Sequence, residues 1–99
     1  MKILCVGIDS LTLRTRIAVL EQFQFEAFGC SLEEVCQVLA SGRFDVVLLP
    51  ADIRQNQLSE ICEKANGSAV VVLEAFTFPN DLINLIHRAK ALTVSHEAP

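Results

Sequence analysis

Seven residues, Phe44 to Pro50, constrain this chain more than any others. Asp45 is followed by four consecutive apolar residues, Val46, Val47, Leu48 and Leu49, and Pro50 then ends the run. A run this short, rich in β-branched side chains and stopped by proline, predicts a strand buried on both faces, as in a parallel sheet covered by helices. Two strand–helix units lead into it and two lead out. In folds of this kind ligands and reacting groups gather just past the carboxyl ends of the central strands. Here a proline holds that place, and proline can neither donate a proton nor accept a phosphoryl group.

The flanking segments supply the rest of the sheet. Ile3 to Val6 is a short apolar strand ending at Gly7, with Asp9 and Ser10 offering N-cap oxygens to a helix. That helix runs to about Gln22 and presents Leu13, Ile17 and Leu20 on one face. Phe23, Phe25 and Ala27 alternate with Gln24 and Glu26, which predicts a less buried strand over Phe23 to Phe28, placed at an edge. Ser31-Leu32-Glu33-Glu34 has the form of a capping box for a second helix, with Leu32, Val35, Cys36 and Leu39 facing inward and Gly42 at its end. After Pro50 comes a polar loop, Ala51 to Gln57. A third helix follows, with Leu58, Ile61, Cys62 and Ala65 on one face and Asn66-Gly67 as its stop. Ala69 to Leu73 is a second continuous apolar run. Pro79 and Asp81 open a last helix whose inward residues are Leu82, Leu85, Ile86 and Ala89. The expected layout is one three-layer α/β domain over residues 1–92, with 93–99 a flexible tail or the start of a linker.

Composition narrows the function classes. The chain has 99 residues, 52% of them hydrophobic, and a formal net charge of −4 with only eight basic residues, which are scattered. This argues against a nucleic-acid surface for the domain alone. No apolar stretch approaches the roughly 18 to 20 residues that a membrane span needs. Met1-Lys2-Ile3-Leu4 leads straight into the first strand, so a cytoplasmic protein is expected. Cys5, Cys30, Cys36 and Cys62 form no CxxC pair and read as reduced thiols, mostly buried, rather than redox or metal groups. His87 and His96 read as surface residues, and no cofactor is implied.

Three stretches, KILCVGIDS, SLEEVCQVLASGRFDVVLLP and AVVVLEA, resemble the receiver domain of bacterial response regulators, a flavodoxin-like fold of two-component signalling. The resemblance covers Met1 to Ala75 and then the final helix. It implies a parallel sheet in the strand order 2-1-3-4. It also implies that the family's phosphorylation chemistry is degenerate here. Gly7 and Ile8 fall where the family's Mg²⁺-binding acidic pair stands, with only Asp9 acidic beside them. Pro50 falls at the phosphoacceptor aspartate, Glu74 at the sensing Thr or Ser, and Ala75 near the lysine. Asp52, two residues beyond Pro50, reads as an ordinary loop or cap aspartate. Between Leu73 and Pro79 there is no room for the family's fourth helix and fifth strand.

The resulting expectation is a non-catalytic, phosphorylation-independent module for signalling and protein interaction that associates with itself, and not an enzyme. Without a fifth strand the Val70-Val71-Val72 run becomes a sheet edge, open to pairing with another chain. The expected interface comprises Val70, Val71, Val72, Phe76, Phe78, Leu82, Leu85 and Ile86, and the expected partner is a protein, with a homodimer first. Two alternatives stand beside this reading. One is a phosphocarrier like the EIIB subunits of the phosphotransferase system, with Cys5 as the phosphorylated residue. It is opposed by the position of Cys5 inside the strand, where an apolar setting raises a thiol's pKa. The other is the regulatory portion of a longer transcriptional regulator. A flavin or nucleotide site after the first strand has only Gly7, Ser10 and Thr12 in its favour.

Overall fold

The computed structural model of the chain describes residues 1–7, 10–65, 67–73 and 79–97, in which strands and helices alternate strictly. Strands β1 (Lys2–Val6), β2 (Glu26–Cys30), β3 (Val46–Leu49) and β4 (Ala69–Val72) form one parallel sheet in the order β2-β1-β3-β4. Helices α1 (Ser10–Gln22), α2 (Val35–Ser41), α3 (Gln55–Lys64) and α4 (Pro79–Glu97) connect or follow them. The sheet and its order are those expected from the sequence. Among the described residues β4 has no outer neighbour, so β2 and β4 are the two edges.

The sheet separates two cores. Ile3, Cys5, Val46, Leu48 and Ala69 point to one face and pack with Leu20 of α1 and Leu82, Ile83 and Ile86 of α4. Leu4, Val6, Val47 and Leu49 point to the other and pack with Val35 and Leu39 of α2 and Ile61 of α3. All four residues of β3 are fully buried, which explains why the run is continuous rather than alternating. Each such side chain contributes about 1.5–3 kcal/mol of burial free energy.

The amino ends of β1 and β3 are joined by Asp45. Its Oδ2 accepts from the Lys2 backbone N–H, its own N–H donates to the Lys2 carbonyl, and its carbonyl accepts from Ala69. The aspartate before VVLL therefore sets where three strands begin. At the far side of the sheet Gly29 lets α1 lie close on β2. A Cβ there would stand 2.9 Å from Ile17 Cδ1 and 3.1 Å from Leu13 Cδ2.

Several local expectations need correction. β2 begins at Glu26, not Phe23, because α1 ends in a Schellman motif. Gln24 adopts φ 66° and donates to the Glu21 carbonyl, while Phe25 donates to the Leu20 carbonyl. The capping box at Ser31 forms only in part. The Glu34 carboxylate accepts from the Ser31 hydroxyl at 3.0 Å, and the helix proper starts at Val35. Gly42 leaves α2 in an extended conformation, so its left-handed freedom is not used. α3 starts at Gln55, two residues before the expected end of the loop, and the Gln57 side chain accepts from the Arg54 N–H. Cys62 is exposed rather than inward, because the buried stripe of α3 is narrow and is filled by Leu58, Ile61 and Ala65. The last helix continues through Glu97, past the tail expected from Thr93, since no glycine or proline interrupts that stretch. At 19 residues it is about 28 Å long, far longer than the strands it covers.

Candidate functional site

The carboxyl ends of β1 and β3 come together as the sequence predicts. Cys5 pairs with Leu48, so extending the register by two residues sets Gly7 beside Pro50. Both are half-buried. The Gly7 N–H donates to the Cys30 carbonyl, and the Pro50 carbonyl accepts from Ile53, closing a turn that carries Asp52 exposed to solvent. Leu73, just past β4, donates to the Leu49 carbonyl and is buried. Ile8, Asp9, Glu74 and Ala75 lie outside the described residues. Gly7 and Pro50 offer neither a metal-ligating oxygen on a side chain nor a phosphoryl acceptor. Among the described residues no group of three or more His, Cys, Asp or Glu side chains is placed to hold a metal ion.

Cys5 sits inside β1 and is 1% exposed. Burial pushes its thiol up to about 12, only partly countered by Arg16, and the neighbouring Cys30 adds to the rise. Cys30 is pushed up to about 11, again mainly by burial, with Glu34 adding to it. Cys36, between α2 and α3, is also raised: burial leads, and its hydrogen bond to the Glu60 carboxylate adds to it. None of these three is poised as a thiolate nucleophile at neutral pH.

The β4 edge is the second candidate surface. Val70 and Val71 are half-buried and pack against the two cores from opposite faces, while Val72 is 43% exposed. Phe76 and Phe78 lie outside the described residues. Leu82 and Ile86 do not belong to an interface: they are 2% and 0% exposed in the core beneath β4. Their positions on α4 are the ones that cover the sheet, so a partner cannot reach them. Leu85 is half-buried beside them.

An open hollow of about 830 Å³ at the opposite, amino end of the sheet was not foreseen. Lys2, Arg43 and Lys64 line it together with Ser41, Asp45 and Ser68. The carboxyl ends of α2 and α3 converge there, and Lys64 in the last turn of α3 complements the negative pole of that helix. The sequence signal for it is the pair of turns SGRF and Gly67-Ser68, which return the chain to β3 and β4. The Ser68 hydroxyl is already spent on the Phe44 carbonyl.

No protein-family model matches the chain, and no curated protein matches it either. Solved structures do. A fusion protein that carries a trimeric coiled-coil segment of yeast Spc42 superposes with a TM-score of 0.72 at 14% identity, covering 98% of this chain and 85% of that one. A response regulator from Thermotoga maritima superposes with a TM-score of 0.65 at 22% identity, covering 89% of this chain and 76% of that one. The chain thus has a receiver-like α/β fold. At these identities the likeness concerns the fold alone. No described helix is long and apolar enough to cross a membrane.

Proposed function

We propose that this chain is a protein-interaction module of receiver-like fold that works without phosphoryl transfer and associates with copies of itself. The observation that carries the reading is Pro50. It stands directly after β3, beside Gly7, and the resemblance to receiver domains would put the phosphoacceptor aspartate at this strand end. Phosphoryl transfer needs an acceptor oxygen, a metal held by hard oxygen ligands and compensation of the developing charge. Pro50 and Gly7 supply none of these. The phosphocarrier alternative is disfavoured by the burial of Cys5 and the upward shift of its thiol. A scaffold without that chemistry would work through its surfaces, and among the described residues the valines of β4 have no outer neighbour.

The test is incubation with acetyl phosphate and Mg²⁺, followed by intact mass. An unchanged mass is expected. A stoichiometric phosphorylated species overturns the reading.

A further inference from the structure

The backbone of β4 shows which way its free groups face. Ala69 and Leu73 donate to the Asp45 and Leu49 carbonyls of the neighbouring chain segment. In a strand the N–H and C=O of one residue share a side, and the sides alternate along the chain. Ala69, Val71 and Leu73 are therefore turned toward β3, and Val70 and Val72 turn their N–H and C=O outward. No described residue pairs with that outer side. The strand contains no proline and no charge to discourage pairing. The other edge is better guarded, since β2 carries exposed Glu26 and the glycine Gly29.

We infer that β4 pairs antiparallel with β4 of a second copy about a two-fold axis through Val71, an inference that rests on the self-association proposed above. The strand is its own complement in this register. Val70 faces Val72 of the other copy and Val72 faces Val70, and each pair exchanges both of its outward hydrogen bonds. Val71 meets its own counterpart on the axis as a closely spaced, non-bonded pair. Val70 and Val72 point to the same face of the sheet, so pairing lays the exposed Val72 against Val70 of the other copy. A closed two-fold contact uses one patch twice and stops at two subunits. Pairing β4 with the β2 edge of another copy would instead build an open filament, and Glu26 and Gly29 weigh against it. The contact is short, so a weak, concentration-dependent dimer is expected.

Light scattering of the full chain up to high micromolar concentration, compared with Val72→Lys, tests this. Val72 is exposed, so the lysine leaves circular dichroism unchanged, and the unfolding midpoint too at low concentration where the parent is monomeric, while halving the mass at the top concentration. In a Cys36→Ser, Cys62→Ser background, mild oxidation of Val71→Cys gives a disulfide-linked dimer and Val70→Cys does not. A dimer that persists in Val72→Lys and is not trapped through position 71 overturns the edge pairing and leaves self-association standing. A monomer throughout overturns both, whereas the acetyl phosphate result bears on neither.

Discussion

The Lys2 backbone N–H donates to Asp45 Oδ2 at 2.8 Å, and the Asp45 N–H donates back to the Lys2 carbonyl, also at 2.8 Å. This reciprocal pair ties the starts of the two central strands together across 43 residues of chain. Asp45→Ala removes the side-chain half of the pair and is expected to cost about 1 kcal/mol, because a hydrogen bond at an accessible site contributes about 0.5–1.5 kcal/mol net. Asp45→Asn keeps an acceptor oxygen and recovers part of that loss. Urea unfolding of the three proteins measures the order.

Gly29 sits where α1 presses on β2. Gly29→Ala brings a methyl group within 2.9 Å of Ile17 Cδ1, so α1 must shift or repack. The expected cost is about 1–2 kcal/mol, the usual range for overpacking. Adding Ile17→Val deletes the clashing carbon. The double variant is expected to be more stable than the sum of the single changes predicts, and a double-mutant cycle reads this directly.

Ile86 and Leu11 make a contrasting pair. Ile86 is fully buried under the sheet, and Leu11 on the first turn of α1 is 72% exposed. Ile86→Ala is expected to lower stability by about 2–5 kcal/mol, the range for deleting a buried aliphatic side chain. That is a large share of the 5–15 kcal/mol typical of a whole domain. Leu11→Ala should stay within about 0.5 kcal/mol of the parent protein. Thermal or urea denaturation separates the two.

The buried thiols set a limit at alkaline pH. Cys5 and Cys30 are held neutral to about 12 and 11, against an ordinary value of 9.0. Once unfolded, both ionise near that ordinary value, so between about pH 9 and 12 the native state binds more protons than the unfolded one. Their contribution to stability is complete below pH 9 and is lost as pH rises through this window. The urea midpoint of the parent protein should fall there more steeply than that of Cys5→Val. At neutral pH iodoacetamide should alkylate exposed Cys62 first and reach Cys5 and Cys30 only after unfolding, which peptide mass mapping shows.

The sheet was legible in the sequence because its signals are local and redundant. VVLL and AVVV are continuous apolar runs of strand length, and only burial on both faces accommodates such runs. What escaped the sequence depended on geometry beyond the local pattern. The end of α1 uses Gln24 at a position usually filled by glycine, so the alternation of Phe23, Phe25 and Ala27 imitated a strand. Leu82 and Ile86 are apolar enough for either a core or an interface, and only the crossing of α4 over the sheet assigns them to the core. The ring of His87 lies 5.8 Å from that of Phe25, a contact between segments more than 60 residues apart that no local pattern encodes. At the candidate site, Pro50 and Gly7 were legible as the ends of two strands, and their meeting followed from parallel pairing. The hollow at the opposite end was not, because it arises where two helix ends and two turns converge.

Successive residues of β1 and β3 report to different halves of the molecule. Val46 belongs with α1 and α4, and Val47, its neighbour in the chain, belongs with α2 and α3. The two halves share a layer of peptide groups but no side chains from these strands. A disturbance that loosens α4 therefore reaches α2 and α3 only by bending the backbone of the sheet itself. A partner bound along β4 would be placed differently, since Val71 faces one half and Val70 the other, so holding this strand would stiffen both at once.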